Sequence, residues 1–227
     1  MIAVAGAAAG AALIASALWP AAEIALAQAA LRGGDRVSHA LAVGRTVERI
    51  APAAMLLALV LRLLSEASLC RAQSRARFRA TAFLALTFAL GPGLVVNGLL
   101  KSVSHRPRPL HTAQVMGAGD DYRPFYAFDG ACRRNCSFSS GETAGAFWMV
   151  APALLTPPQV RPAAVAAGLA FGAIAGAIRI AAGAHFLSDV AFSALAALLL
   201  ILAAYRILHI GDDPQRADAL RPPRAEL

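Results

Sequence analysis

Residues 163–207 read AAVAAGLAFGAIAGAIRIAAGAHFLSDVAFSALAALLLILAAYRI. Two apolar runs, Ala163 to Ala182 and Val190 to Ile207, flank a short polar joint that carries His185 and Asp189. Each run approaches the ~20 residues that a helix needs to cross a hydrocarbon layer of ~30 Å. A backbone in lipid must satisfy its own hydrogen bonds, so both runs read as transmembrane helices. Working outward, the same reading finds spans near Ile2 to Leu31, Ile50 to Leu64, Ala80 to Leu100 and Thr143 to Leu155. The expected fold is all-α, a polytopic membrane bundle of about six transmembrane helices. A single membrane-embedded domain is expected over residues 1–210, followed by a disordered, polar cytoplasmic tail from Gly211 to Leu227. The first run has a second reading, as a signal peptide with Ala25-Leu26-Ala27 at the cleavage site, but no basic segment precedes it.

Composition agrees with the membrane reading. Of 227 residues, 58% are hydrophobic and 15% charged, with a mean hydropathy of +0.59. The net charge of +8 raises the question of nucleic acid as a partner. The arginines, however, sit at the ends of membrane-length runs with few aromatics between them, and the expectation is no nucleic-acid binding.

Crossing alternately, the spans bring four polar places to one face. These are the end of the third span at Lys101-Ser-Val-Ser-His105-Arg106-Pro107-Arg108-Pro109, the start of the fourth after Ser139-Ser140-Gly141-Glu142, the end of the fifth near Arg179, and the start of the sixth near His185 and Asp189. Arg62, Arg71, Arg75, Arg77, Arg79, Arg161 and Arg206 fall on the other face. The excess of arginine there marks it as cytoplasmic and puts the polar site on the outer face, although Arg32, Arg36, Arg45 and Arg49 count the other way. Cys132 and Cys136 lie on the site face and are either a disulfide or two thiols. With no histidine at zinc-finger spacing, no metal site is expected.

Pro107 and Pro109 should end the third helix near Ser104 and turn Arg108 back toward Lys101. Two cations then converge, a planar fork and a compact ammonium, a pairing suited to phosphate oxygens. Each of Lys101, Arg106 and Arg108 taken alone also fits a side chain snorkelling to lipid head groups. Ser139-x-x-Glu142 before an apolar run marks a helix N-terminus, a place where anions bind. The same pattern is a capping box, so Glu142 has either a chemical role or a capping one. In one continuous helix Arg179 and His185 would point about 120° apart. Gly183 offers a helix stop between them, leaving His185 and Asp189 together on the next element with Asp189 in reach of one ring nitrogen. That arrangement fixes the tautomer and frees the other nitrogen to attack.

Lys101…Arg108-Pro109, Ser140-Gly141 and Arg179…His185…Asp189 resemble the three motifs of the type 2 phosphatidic acid phosphatase and vanadium haloperoxidase superfamily. The resemblance covers the third to the sixth span, with the motifs between residues 97 and 192. It implies a six-helix bundle with its site at the non-cytoplasmic face of a bacterial inner membrane. It further implies that His185 attacks phosphorus and Asp189 orients it, while Lys101, Arg108, Arg179, Ser140 and Gly141 hold the phosphoryl oxygens. Water would then hydrolyse the phosphohistidine, with no cofactor and no metal. Three positions depart from the family's pattern: Ser139 replaces a proline, Ile178 a serine, and Glu142 the histidine that protonates the leaving group.

The expected activity is that of a metal-independent lipid phosphatase acting on undecaprenyl diphosphate, lipid A 1-phosphate, phosphatidic acid or phosphatidylglycerophosphate. The rival expectations are a lipid phosphotransferase using the same histidine, and a degenerate protein that binds lipid phosphate without chemistry. The loop with Tyr122, Phe125, Tyr126 and Phe128 either selects head groups or forms an interfacial aromatic belt.

Overall fold

The computed structural model describes residues 1–34 and 75–210, together with 42–44, 46–47, 50–52, 54–55, 57–58 and 61. The expected second span falls partly outside these residues, and the tail from 211 to 227 falls wholly outside them. The described elements, in chain order, are α1 (Ile2–Leu18), α2 (Pro20–Gly34), α3 (Arg75–Phe88), a π-helix (Ala89–Leu100), α4 (Lys101–Val103), a 3₁₀ turn (Pro109–His111), α5 (Ala113–Met116), α6 (Gly141–Trp148), α7 (Val150–Leu154), α8 (Arg161–Ala181) and α9 (Leu187–Ile207). Among the described residues the only β pairing is an isolated bridge between Thr112 and Asp120. The chain is all-α.

Among the described residues, three helical stretches are long and apolar enough to cross a membrane: Phe78–Leu100, Arg161–Ala181 and Leu187–Ile207. At 1.5 Å per residue, a 21-residue helix reaches about 31 Å. Their outward side chains, among them Leu94, Ile174 and Leu199, are exposed and apolar, the surface expected where lipid is the solvent.

The first run departs from expectation, because it is two helices rather than one. α1 and the start of α2 meet at 108°. Pro20 has no N–H to continue the ladder, and its ring excludes a helical carbonyl four residues back, so Trp19 becomes the corner. α2 therefore leaves the line of α1 and packs against α5, α8 and α9. The fourth run is also shorter than a span: Pro152 cannot donate to the Trp148 carbonyl, and the helix breaks at Met149 into α6 and α7. From Thr143 to Trp148 every residue is buried, so protein rather than lipid surrounds α6.

What lets α6 into the bundle is small residues on α8. A Cβ on Gly172 would lie 2.6 Å from the Phe147 ring, the close helix approach that small residues permit in membranes. Trp148 is fully buried, donates Nε1–H to Thr87 Oγ1 at 3.0 Å and meets Phe88 edge-on at 4.9 Å. Phe83, Val150, Leu198 and Ile201 complete this core. At the end of the bundle away from His185, the Arg79 guanidinium donates to the carbonyls of Leu208 and His209, closing the C-terminus of α9.

Candidate active site

The joint between α8 and α9 sets the site's geometry. α8 ends in a Schellman motif: Gly183, at φ +61°, donates to Ile180 O at 2.9 Å, and Ala184 donates to Arg179 O at 3.1 Å. Arg179 stays on the last turn of α8, almost fully buried. His185 lies in the connecting segment, ahead of the helix, and Asp189 in the first turn of α9.

His185 is buried, and its Nδ1 lies 2.7 Å from the Ser137 carbonyl oxygen. A carbonyl can only accept, so Nδ1 carries the ring proton and Nε2 keeps its lone pair. Nε2 is buried without a hydrogen-bond partner. Asp189 Oδ2 is farther from Nδ1, at 3.6 Å. The expected histidine–aspartate hydrogen bond is thus displaced: Ser137 O takes the ring proton, while Asp189 Oδ2 accepts from Ser137 Oγ at 2.5 Å and from Phe186 N–H at 2.8 Å. At 3.6 Å the carboxylate still favours any positive charge that forms on the ring. Burial, opposed by Asp189, holds the His185 pKa below the ordinary 6.5, so the ring is neutral at neutral pH.

Ser137 is placed by a strap. Cys132 N–H donates to His105 O at 3.0 Å and Ser137 N–H to Arg106 O at 2.8 Å, while Ser104 Oγ donates to Phe138 O at 3.0 Å. Residues 132–138 are thereby tied to residues 104–106, and a disulfide joins Cys132 to Cys136. Inside the disulfide loop, Asn135 holds Arg108: its carbonyl accepts from Nε at 2.8 Å and its Oδ1 from a terminal nitrogen at 2.6 Å.

The cations converge on the histidine. Lys101 lies within the electrostatic reach of Arg108, Glu142, Arg179 and Asp189, and its pKa is lowered, by burial first and by Arg108 next. Arg179 and Arg108 both act on His185. Arg179 Nε pairs with Glu142 Oε2 at 2.9 Å. This settles how Glu142 is used locally. The helix cap is Ser140, not Ser139, and its Oγ accepts from Thr143 N–H at 3.4 Å. Glu142 is then one position short of the place from which a capping-box carboxylate reaches back, and it turns to Arg179 instead. Ser140 N–H donates to Ser193 Oγ at 2.9 Å, which locks the start of α6, with Gly141 as its first residue, against α9.

The residues missed in sequence are Arg106, Glu23 and Ser137. Arg106 does not snorkel. It is fully buried, and it donates to Asp189 Oδ1 at 2.5 Å, Glu23 Oε2 at 2.9 Å, Ser188 Oγ at 2.7 Å and Arg123 O at 2.7 Å. Glu23 carried a readable signal, an ionisable residue inside an apolar run. Ser137 carried none. In the loop, Tyr122 stacks edge-on against Phe186 at 5.2 Å and Phe125 lies near Phe138, whereas Tyr126 and Phe128 are exposed. The loop is thus divided between packing over the site and facing outward.

An apolar groove of about 560 Å³ runs between α1, α8 and α9, lined by alanines such as Ala9 and Ala173 and, at the site end, by Ile180 and Leu187.

The model of the PAP2 superfamily matches residues 81–210, which include all three motifs and the cations around His185. The chain belongs to the PAP2 superfamily. Its similar relatives within that superfamily include a lipid A 4'-phosphatase of Rhizobium leguminosarum, 38% identical over 117 residues, which are 52% of this chain and 50% of the relative. A lipid A 4'-phosphatase of Francisella tularensis subsp. novicida (strain U112) is 34% identical over 133 residues, 58% of this chain and 59% of the relative. One of Rhizobium etli is 38% identical over 114 residues, 50% of this chain and 44% of the relative. The chain spans about half the length of the relatives it matches. No solved structure matches it significantly.

Proposed function

We propose that the chain is a membrane lipid phosphatase that transfers a phosphoryl group from a lipid to His185 Nε2 and then to water. The observation that carries the reading is the state of His185, its Nδ1 proton held by the Ser137 carbonyl and its buried Nε2 without a partner, with Lys101, Arg108 and Arg179 around it.

In the first step the Nε2 lone pair attacks phosphorus and the bond to the lipid oxygen breaks. Charge spreads over the equatorial phosphoryl oxygens. Lys101, Arg108, Arg179 and the start of α6 at Gly141, held in place by the Ser140 cap, hold those oxygens. The ring becomes cationic as the N–P bond forms, and Asp189 stabilises it across 3.6 Å. Glu142, where the family has histidine, is ion-paired with Arg179 at 2.9 Å; when the phosphoryl oxygens take over that guanidinium, the released carboxylate takes up a proton from solvent and passes it to the leaving oxygen. In the second step water attacks the phosphohistidine and orthophosphate leaves.

The names of the relatives make a lipid A phosphate the first substrate class, ahead of undecaprenyl diphosphate, phosphatidic acid and phosphatidylglycerophosphate. The alanine-lined groove beside Leu187 suits an acyl chain of such a substrate. The setting we propose is the bacterial inner membrane with the site facing the periplasm, since a disulfide on the site's own strap suits an oxidising compartment. Residues 1–210 would form one domain.

Phosphate release by the purified full chain in detergent, from each of these four lipids, is the test. Release from lipid A that His185→Ala abolishes supports the reading. No release from any lipid contradicts it and favours a protein that only binds lipid phosphate. A pH–rate profile unchanged in Glu142→Gln would remove the proton-delivery role.

A further inference from the structure

We infer that Glu23, on α2 and outside the residues matched by the family model, is a positioning residue for this reaction: it holds Arg106, and through it Asp189 and the start of α9, in the arrangement His185 needs. The inference rests on the reading of His185 as nucleophile.

Glu23 is buried, 3% exposed, in a chain where an unpaired internal carboxylate would be costly. All its partners belong to the site's end of the bundle. Oε1 accepts from Ser188 N–H at 2.7 Å. Oε2 accepts from Arg106 at 2.9 Å and from Tyr122 Oη at 2.5 Å. Burial and Glu23 itself raise the Tyr122 pKa above its ordinary value, so the phenol stays protonated and acts as the donor.

Arg106 is the hinge of the arrangement. One terminal nitrogen faces Glu23, and the other faces Asp189 Oδ1 and Ser188 Oγ. The guanidinium is sandwiched against the Phe186 ring, 4.4 Å from its centroid. Phe186 and Ser188 belong to the segment that joins His185 to Asp189. A single carboxylate therefore fixes both the arginine that orients Asp189 and an amide of the first turn of α9. Two effects follow when its charge is removed. The arginine's full charge falls on Asp189 and weakens the carboxylate's hold on the cationic ring in the transition state. The first turn of α9 also loosens, and His185 with it. Neither effect touches the lysine and arginines that bind phosphate, so turnover falls while substrate binding does not.

The 108° corner at Trp19–Pro20 is what makes this possible. Continued straight, the first helix would carry Glu23 past the bundle's end instead of across it.

The experiment measures kcat and KM for phosphate release from lipid A, using the full chain in detergent, for wild type, His185→Ala, Glu23→Gln and Tyr122→Phe. Glutamine keeps the shape and an acceptor for Ser188 N–H but presents an amide to Arg106. Glu23→Gln is expected to lower kcat by about tenfold or more, the equivalent of one lost charge-assisted hydrogen bond, with KM within about twofold of wild type. A kcat within about twofold of wild type overturns the proposal. So does a loss confined to KM. If Glu23→Gln does not accumulate as folded protein, Tyr122→Phe decides. It removes one hydrogen bond from Glu23 and leaves both charges, and it should lower kcat by about threefold at constant KM; a kcat equal to wild type overturns the proposal. Release that survives in His185→Ala overturns the nucleophile assignment, and the Glu23 proposal falls with it, so the variant that keeps activity identifies which idea failed.

Discussion

Replacing Arg106 by methionine should destabilise the whole bundle, and the size of the effect follows from what the side chain leaves behind. Methionine fills much of the same volume between the Tyr122 and Phe186 rings but brings no charge. Glu23 and Asp189, each with its side chain about 1% exposed or less, would then face each other with no cation between them. Removing one partner of a buried ion pair costs about 3–5 kcal/mol, because the remaining charge cannot be rehydrated. Here two carboxylates are stranded by one substitution. In a chain of 227 residues, 1 kcal/mol shifts the melting temperature by about 2–4 °C, so the expected loss is about 6–20 °C. Thermal unfolding in detergent followed by tryptophan fluorescence reads this directly. Trp148 is fully buried beside Phe88 and Thr87, so its emission reports the core, and a Trp19→Phe background removes the signal of the exposed second tryptophan. Adding Glu23→Gln to Arg106→Met should return several degrees, since one stranded charge is removed. An Arg106→Met protein that melts within about 2 °C of wild type would refute the view that Arg106 is a buried counter-ion.

Two further outcomes follow from the site. Because burial lowers the His185 pKa from 6.5 and only the neutral ring can attack, the acid limb of kcat/KM should lie below pH 6.5. Activity should hold as pH falls through the ordinary histidine value and drop only below it, and a limb above 6.5 would contradict the burial argument. The Cys132→Ser/Cys136→Ser double variant frees the loop in which Asn135 grips Arg108; KM for lipid A should rise about tenfold, the equivalent of one lost charge-assisted contact, with the melting temperature as control.

How far the sequence could be read depends on the range of the interactions. The helices of α8 and α9, and the stop at Gly183 between them, are local: apolar length sets the spans and a left-handed glycine sets the joint. The three motifs were legible for the same reason, each being a few residues at fixed spacing. Of the two readings open for Glu142, the capping one does not hold, because the cap is Ser140, one residue later than Ser139, and Glu142 meets Arg179. What escaped were partnerships across the chain. Glu23 meets Arg106 at a separation of 83 residues and the Ser188 amide at 165, and neither spacing nor hydropathy encodes such a meeting. Arg106 looked like its neighbours Lys101 and Arg108, and only the fold separates the cation that is buried as a counter-ion from those that converge near His185. The break at Pro20 was readable, but the apolar run concealed it. The histidine's proton acceptor is a backbone carbonyl, which every residue has, so no residue type could announce it.

If the buried Nε2 of His185, which has no hydrogen-bond partner, takes the phosphoryl group, the intermediate is a phosphohistidine that can be trapped. The most direct measurement is a rapid acid-free quench of the full chain turning over ³²P-labelled lipid A, followed by mapping of the labelled peptide. The expected result is a base-stable, acid-labile label on the peptide that contains His185, absent in His185→Ala. Turnover at the wild-type rate in His185→Ala, or a label on any other residue, would contradict it.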